Sequence, residues 1–309
     1  MKKILSVILC LCTVCGMRAQ IAGFEWFDGT LQYTAEQIAG GKIVMNAMDE
    51  GEEIQFVLVP VAGKADTYTV TDGGEDFTTV YKGLTAKHMK KEGWDVIGLY
   101  NSKKQLVNLM ENVEKFTDDY EQVSVNRWKE QLNGTYYFPE GGGEDLVWGN
   151  KAIVVNNVVA PYEVVTFNGR VTGYIRVEGT GTILEGLWEV VPTLEGIHLY
   201  EWERTSVKYT LKESNPRVGR FDYATNTLLT CKHFRHYKKS TLRIMRNSIM
   251  ARNGYKFSSK DLQDYFSKEP WYKPAASNDN IKLSFIEQLN MELIKAEEEN
   301  PDHESYVKE

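Results

Sequence analysis

One short segment gathers the side chains that most often do chemistry: Cys231-Lys232-His233-Phe234-Arg235-His236. Neighbouring lysine and arginine can favour the nucleophilic thiolate form of a cysteine. If the segment is a strand, Cys231 and His233 share one face and His236 lies on the other. A cysteine nucleophile also needs a base oriented by a third group, and the sequence assigns no such group. We therefore expect a basic linker without catalytic residues.

A second candidate is the pair of glutamates in Glu201-Trp202-Glu203. On a strand the two carboxylates lie on one face, about 7 Å apart, which suits an inverting glycosidase. Solvated glutamates beside an inward tryptophan explain the pattern equally well.

A metal ion is disfavoured in the cysteine segment, because the positive charges of Lys232 and Arg235 would repel a divalent cation. The sequence thus predicts no catalytic residue, no metal and no cofactor, with the carboxylate pair kept as an alternative.

Charge is distributed unevenly along the chain. The whole chain has a formal charge of −7, yet no Asp or Glu occurs from Tyr223 to Lys260. That stretch predicts a basic surface for an anionic cell-envelope polymer, unless tertiary neighbours neutralise it. Nucleic acid is not an expected partner for an exported protein with a pI of about 5.5. The candidate ligand-binding residues are Lys232, Arg235, Lys238, Lys239 and Arg243.

The elements that must position these residues are mostly strands. The 309 residues are 42% apolar and 12% aromatic, which excludes a disordered, collagen-like or coiled-coil chain and suggests about two domains. Short segments in which apolar and polar residues alternate, separated by glycine-containing turns, fill residues 20–116 and 134–213. Each of these two regions is therefore predicted to form an antiparallel meander or barrel. Residues 96–109 predict a hairpin, with a helix from Ser102 as the alternative. Residues 117–133, capped by Thr117, predict a connecting helix.

The two β units share short similar segments. Gly29-Thr30 with Tyr33 matches Gly134-Thr135 with Phe138, and Ile43 to Asn46 matches Ile153 to Asn156. A duplicated β module is therefore an open alternative. The opening strand of the second unit also resembles that of lipocalin-like barrels, which implies a shape and no more.

In the last quarter of the chain the spacing of the apolar residues changes to that of amphipathic helices. We expect a basic linker over 214–239, a helical module over 240–296 and a disordered acidic tail over 297–309. Within the module, Ser240 is expected to cap the first helix, Ser259 the second, and the third is expected to begin at Asn280. The predicted module core is Trp271, Met245, Ile249 and Phe266, with Trp271 packed near Met245 and Ile249.

Residues 1–19 have the layout of a secretory signal. Lys2-Lys3 precede an apolar run from Ile4 to Cys15, and Ala19 stands at a cleavage position. The run is too short to span a membrane as a helix, so we expect an exported chain without a transmembrane segment, located in the periplasm, on the cell surface or outside the cell. A lipid-modified cysteine in this segment is the alternative. Cleavage would leave Cys231 as the one cysteine, which excludes an intramolecular disulfide.

Several ordered blocks near the C-terminus carry a family likeness. Residues 242–257, Leu262 to Phe266, Pro270 to Pro274 and Ile286 to Asn290 together resemble the YARHG domain. The naming motif departs from the family, because Met250-Ala251-Arg252-Asn253-Gly254 lacks its tyrosine and histidine. The resemblance implies a small helical module of bacterial exported proteins without an established activity. A histidine acid–base role could not operate here, since Asn253 does not titrate.

Four polar residues of this module are expected to form a structural network that joins its first and third helices: Arg246, Arg252, Glu287 and Asn290. A recognition patch for an anionic ligand is the other interpretation, and Glu287 is the expected partner of Arg246. The sequence as a whole predicts an α+β protein with two antiparallel β units and a C-terminal helical module. We expect a non-catalytic, envelope-associated binding or scaffolding protein, with a carboxylate-pair hydrolase or a lipocalin-like carrier of small ligands as alternatives.

Overall fold

The computed structural model describes residues 20–74, 79–115, 117–139, 145–167, 169–202, 204, 206–214 and 220–306. The predicted signal at 1–19 lies outside these residues. The chain divides into two compact units between Asn112 and Val113. No helix in the described part of the chain is long and apolar enough to cross a membrane.

The first unit is a closed barrel of eight antiparallel strands in sequence order, in which β1 pairs with β8. Alternate residues such as Tyr33 and Ala35 are buried, as expected where one face of a strand lines a core. The predicted hairpin is confirmed, because β7 and β8 pair across residues 101–105. The strands are β1 (Glu25–Phe27), β2 (Gln32–Gln37), β3 (Ile43–Asp49), β4 (Glu52–Pro60), β5 (Thr67–Asp72), β6 (Thr85–Lys91), β7 (Trp94–Tyr100) and β8 (Leu106–Asn112).

The second unit begins with a helix and a second barrel. Helix α1 (Asp118–Leu132) starts at the predicted cap, where the Thr117 hydroxyl accepts a hydrogen bond from the Tyr120 amide. Eight antiparallel strands follow and close through β16 and β9. They are β9 (Gly134–Tyr137), β10 (Asp145–Trp148), β11 (Ala152–Val155), β12 (Val158–Phe167), β13 (Arg170–Val177), β14 (Gly186–Pro192), β15 (Gly196–Glu201) and β16 (Tyr209–Glu213).

Both barrels have the same strand order, but the similar segments of the sequence match only in part. Ile43 to Asn46 lies in β3 and Ile153 to Val155 lies in β11, which are the third strands of their barrels. Tyr33, in contrast, belongs to the second strand of its barrel, whereas Gly134 belongs to the first strand of the other. Only one of the two similarities therefore fits a duplication.

Four further helices follow in the described part of the second unit, and together with α1 and the barrels they give the predicted α+β class. Two predicted starts are wrong. The first helix of the module, α2, was predicted to be capped by Ser240 but begins at Lys239 without a side-chain cap. The Lys239 amide instead donates a hydrogen bond to the Glu304 carboxylate. The third helix of the module, α4, was predicted to begin at Asn280 but begins at Phe285, where Ser284 and Glu287 form a capping box. The helices after α1 are α2 (Lys239–Arg252), α3 (Lys260–Phe266), α4 (Phe285–Glu299) and α5 (His303–Tyr306).

The predicted linker at 214–239 is wrong in its described part. Residues 220–238 contain helical turns at Asp222–Thr225 and Cys231–Phe234 and bury a set of apolar side chains. Hydrophobic burial fixes this segment despite its positive charge. The buried residues are Phe221, Ala224, Leu228, Leu229, Phe234 and Tyr237.

The predicted disorder at 297–309 is also wrong for the described residues up to 306. Helix α4 continues to Glu299, and α5 follows after residues 300–302. His303 is fully buried, with Nδ1 2.6 Å from the Glu297 carboxylate and Nε2 2.5 Å from the Tyr237 carbonyl oxygen. These contacts hold the acidic end of the chain against the module.

Candidate functional site

The core of the helical module contains a fully buried amide, Asn290 on α4. Its nitrogen donates to the carbonyl oxygens of Ala224 and Thr227, both at 2.8 Å. Its oxygen accepts from the Leu229 amide at 2.9 Å. Asn290 therefore fixes α4 to the segment that the sequence suggested was a linker, rather than to the first helix of the module.

Glu287 joins the start of α4 to the end of α2. One carboxylate oxygen accepts from the Ser284 amide at 2.8 Å, and the other accepts from the Asn253 side chain at 2.7 Å. The predicted Arg246–Glu287 pair is wrong, because Arg246 Nε donates to Glu298 at 3.0 Å. Arg246 lies about two helical turns before Asn253, and at that level the antiparallel α4 presents its C-terminal end. Arg246 is also only partly buried.

Arg252 and Trp271 form a cation–π contact in the module. The guanidinium carbon lies 3.5 Å from the centroid of the indole ring. Asp222 accepts two hydrogen bonds from the same guanidinium, with a Nε–Oδ1 distance of 2.7 Å for the first. This geometry combines bidentate pairing with stacking, which arginine provides and lysine does not.

The predicted position of Trp271 near Met245 and Ile249 is wrong. Trp271 packs beside Phe266, with ring centroids 6.3 Å apart, and beside Arg252, about two turns beyond Met245. The next residue explains the placement, because the Tyr272 hydroxyl donates to the carbonyl oxygen of Tyr255 just after α2. Met245, Ile249 and Phe266 are buried in the described structure.

The basic surface predicted from the acid-free stretch meets carboxylates from other elements. Arg235 pairs with Glu189 on β14, and Arg243 lies 2.7 Å from Asp261 on α3. Lys238 is exposed, Lys239 is half-buried, and the side chain of Lys232 lies outside the described structure. The positive charge of Arg235 and Arg243 is thus balanced locally.

Arg235 and His236 attach the module to the outer face of the second barrel. Burial opposes ionisation of Glu189, but the hydrogen bond from His236 and the charge of Arg235 outweigh it, so the pKa of Glu189 is lowered. The His236 ring packs on Tyr200 with centroids 4.4 Å apart. Because Cys231–Phe234 is a helical turn, the strand geometry considered for a cysteine site does not occur.

A buried ion pair makes a second attachment that the sequence did not indicate. Arg220 Nη2 donates to Glu213 on β16, and the two side chains are only 1% and 4% exposed. Arg220 Nη1 also donates to the Tyr136 hydroxyl at 3.3 Å and the Gln131 carbonyl oxygen at 3.4 Å. One arginine therefore contacts both closing strands of the barrel and the end of α1.

Beside this ion pair the described structure has a cleft of about 310 Å³. It lies where α1, the turn at Asp222–Thr225, the end of α2 and the segment after α3 meet. Three arginines, three carboxylates and an indole surround it. The lining residues are Arg127, Glu130, Gln131, Arg220, Asp222, Tyr223, Asn226, Arg252, Glu269 and Trp271.

The carboxylate pair considered for hydrolysis is described only in part. Glu201 is partly exposed and lies 3.1 Å from Lys208, whereas Glu203 lies outside the described residues. Within the part of the chain that the structure describes, no cluster of three or more His, Cys, Asp or Glu residues could hold a metal ion.

The fold and the cleft define a protein with β-barrel units and a C-terminal helical module that is fixed to the second barrel. Residues 220–299 match the family model of the YARHG domain, which confirms the predicted resemblance. The match begins 20 residues before the predicted start at 240 and includes Arg220 and Asp222. YARHG domains are typically found in exported proteins. Neither a curated protein nor a solved structure matches the chain significantly.

Proposed function

We propose that this chain is an exported, non-catalytic binding or scaffolding protein of the bacterial cell envelope, and that the cleft beside Trp271 is its ligand site. The observation that carries the proposal is the convergence of Arg127 on α1, Arg220 just before the turn at Asp222–Thr225, and Arg252 on α2 on one cleft that also contains an indole. Such a concave site with a few convergent polar groups is the usual form of a small-ligand site. Export itself is supported by the YARHG domain and by the signal-like residues 1–19.

The test is retention of the mature chain, residues 20–309, on purified envelope fractions. We expect the protein to co-sediment with one fraction, and Arg127→Ala to reduce that retention, because Arg127 is exposed and its loss does not disturb a core. Arg176→Ala, on the outer face of β13, is the matched control and should be retained like the wild type. Absence of retention on every fraction would contradict the proposal.

An anionic envelope polymer is the partner proposed for the basic surface formed by Lys232, Arg235, Lys238, Lys239 and Arg243. The support is the acid-free sequence together with exposed Lys238. The ion pairs of Arg235 and Arg243 reduce the charge available to such a polymer. The lysines at the start of α2 are therefore the residues on which this contact depends.

A carrier of small apolar ligands is the second candidate function, since each unit has a closed eight-stranded barrel like that of the lipocalins. The second barrel contains large buried rings, including Tyr136, Trp148 and Trp188. Displacement of an apolar fluorescent probe by fatty acids would support a carrier, and absence of probe binding would count against it. The hydrolase alternative depends on Glu201 and Glu203, and no contact of the described residues favours it.

A further inference from the structure

The outer face of the second barrel carries an exposed tryptophan, Trp202, directly after β15. All seven tryptophans of the chain lie among the described residues, and the other six are buried or half-buried, whereas Trp202 is 51% exposed. Its ring has a neighbour, because Tyr174 on β13 lies beside it with ring centroids 5.2 Å apart and ring planes at 62°. An edge-to-face neighbour restricts the orientation of the indole, so Trp202 presents a positioned aromatic ring to solvent.

The helical module ends just before this ring. Tyr200 lies two residues before Trp202 on the same face of the barrel, and it is fully buried beneath the His236 ring of the module. The Trp202 amide donates to the carbonyl oxygen of Leu187, which places these two residues side by side on neighbouring strands. The barrel therefore forms a floor and the edge of the module forms a wall. We name this region, Tyr174, Leu187, Trp202 and Arg235, the Trp202 ledge.

Arg235 provides hydrogen-bond donors at the wall of the ledge. Its Nη2 donates to Glu189, and its Nε lies 2.9 Å from Nε2 of His236. A guanidinium has five N–H groups, and the Arg235 side chain is 39% exposed, so donors remain for a ligand. Tyr174 lies between Arg235 and Trp202, since it pairs across the strands with Glu189. Burial first, and the charge of Glu189 second, raise the pKa of Tyr174, so its hydroxyl remains protonated.

An exposed indole beside hydroxyl and guanidinium groups matches the two kinds of surface on a pyranose sugar. The face of an aromatic ring carries partial negative charge, which attracts the polarised C–H groups on one face of the sugar. The hydroxyls around the sugar rim both donate and accept hydrogen bonds. Because these hydroxyls are uncharged, they can bond to Arg235 without displacing Glu189 from its ion pair.

A protein partner fits the ledge less well than a sugar does. Stable protein interfaces bury about 800 Å² on each partner, whereas one wholly covered aromatic side chain contributes about 150–250 Å². Beyond Leu187 the same row of the barrel continues with Arg176 and Glu163, which are exposed and charged, so the apolar surface ends there. Two partly exposed rings and one leucine therefore fall short of the area that a protein interface needs.

We infer that the Trp202 ledge binds a glycan, with one pyranose ring stacked on Trp202 and the neighbouring sugar hydrogen-bonded to Arg235. This site goes beyond the proposed function, because none of its residues lines the cleft beside Trp271. N-acetylated and unmodified glycans both present the required C–H face and hydroxyl rim. Chitotetraose and cellotetraose differ in the acetamido group, so the two probes distinguish these sources.

The experiment follows the indole N–H signals of the mature chain by NMR during titration with each tetrasaccharide. Trp202→Ala and Trp271→Ala assign the two relevant signals by their loss. We expect one or both sugars to shift the Trp202 signal and to leave the Trp271 signal in place. A response to chitotetraose alone would identify an N-acetylated glycan, and equal responses would show that the pyranose face and hydroxyls are sufficient.

Variants test whether the ring itself binds. Trp202→Ala should weaken sugar binding, measured by calorimetry, at least about tenfold, and Trp202→Tyr should recover part of it. Phe167→Ala is the matched control, since Phe167 is 53% exposed on the same barrel but pairs with Arg170, about 20 Å along β13 from the level of Trp202. It should bind the sugars like the wild type.

Three results would overturn the inference. Unchanged Trp202 signals with both sugars would show that the ledge binds no glycan, and intact envelope retention would then leave the proposed function standing. A shift of the Trp271 signal instead would place the sugar in the cleft. Binding to vesicles of phosphatidylglycerol and phosphatidylethanolamine that is lost in Trp202→Ala, without sugar binding, would identify a membrane contact.

Discussion

The guanidinium carbon of Arg252 lies over the indole of Trp271, 3.5 Å from the ring centroid, while Asp222 accepts hydrogen bonds from the same guanidinium. This contact joins the end of α2 to the segment after α3 and forms one wall of the cleft. A stacked, paired arginine is held in one orientation, so it can present its remaining donors in a fixed direction. The stability of the module and the shape of the cleft therefore depend on the same two residues.

Removing the ring should reveal this dependence. Trp271→Ala is expected to lower the free energy of unfolding by about 2 kcal/mol, less than for a fully buried tryptophan because the ring is half-buried. A double-mutant cycle with Arg252→Ala should give a coupling of about 1 kcal/mol. Chemical denaturation measures both values. Trp202→Ala is the control and should cost under about 0.5 kcal/mol, because Trp202 is 51% exposed. Additive effects of Trp271→Ala and Arg252→Ala would exclude the coupling.

The buried Arg220–Glu213 pair predicts a different response. Glu213→Gln should destabilise the second unit by about 3–5 kcal/mol, because it leaves the Arg220 charge buried without a counter-charge. Replacing both residues, as Glu213→Leu with Arg220→Met, should recover most of this loss. Asp264→Asn in the exposed Lys260–Asp264 pair is the control, with a change under about 0.5 kcal/mol. If Glu213→Gln changes the free energy of unfolding as little as the control does, the ion pair does not hold the module on the barrel.

Local patterns in the sequence predicted the strands, the hairpin at 96–109 and the cap at Thr117, because alternation and capping involve residues close together in the chain. Closure into two barrels was not predictable in the same way, since β9 must pair with β16 across the whole sequence of the second barrel. The Arg220–Tyr136 contact likewise joins residues 84 positions apart. Long-range pairing of this kind leaves no periodic signal.

Two misses had a signal in the sequence. The apolar residues Phe221, Leu228, Leu229 and Phe234 mark a buried segment, but the positive charge of the same region suggested a linker. The sequence predicts a structural role for Arg252, but its partner Asp222 stands one position before the acid-free stretch that begins at Tyr223. The acid that pairs with Arg252 therefore lies just outside the stretch that defines the basic region.

Asn290 allows a test of the module core. Asn290→Leu has a similar volume but leaves the Leu229 amide and the carbonyl oxygens of Ala224 and Thr227 without their partner. We expect a loss of about 3 kcal/mol on urea denaturation and faster hydrogen exchange of the Leu229 amide. Asn126→Leu on the exposed side of α1 should change neither quantity. Unchanged exchange at Leu229 would contradict the assigned role.

The lowered pKa of His198 allows a prediction of how mild acid affects stability. Burial first, and the charge of His236 second, lower the pKa of His198 below the usual 6.5. The unfolded chain therefore binds this proton more readily, so the contribution of His198 is complete above pH 6.5 and is lost as the pH falls through the folded-state pKa. Thermal denaturation between about pH 5 and pH 7.5 should show this slope, and His198→Gln should flatten it. Equal slopes in the two proteins would refute the assignment.

The basic surface at the start of α2 gives the last prediction. Changing Lys238, Lys239 and Arg243 together to alanine should have little effect on stability, because the Arg243–Asp261 pair is exposed to solvent, where ion pairs contribute little. Binding to an anionic envelope polymer should weaken and depend less on salt, since screening acts on exposed charge. The control changes Lys42, Lys64 and Lys103, three exposed lysines of the first unit, and alters the net charge equally. Equal loss in the two variants would indicate attraction by net charge alone. Binding that survives the first variant, with its fold intact, would remove this surface from the function and leave the cleft and the barrels as the places where ligands bind.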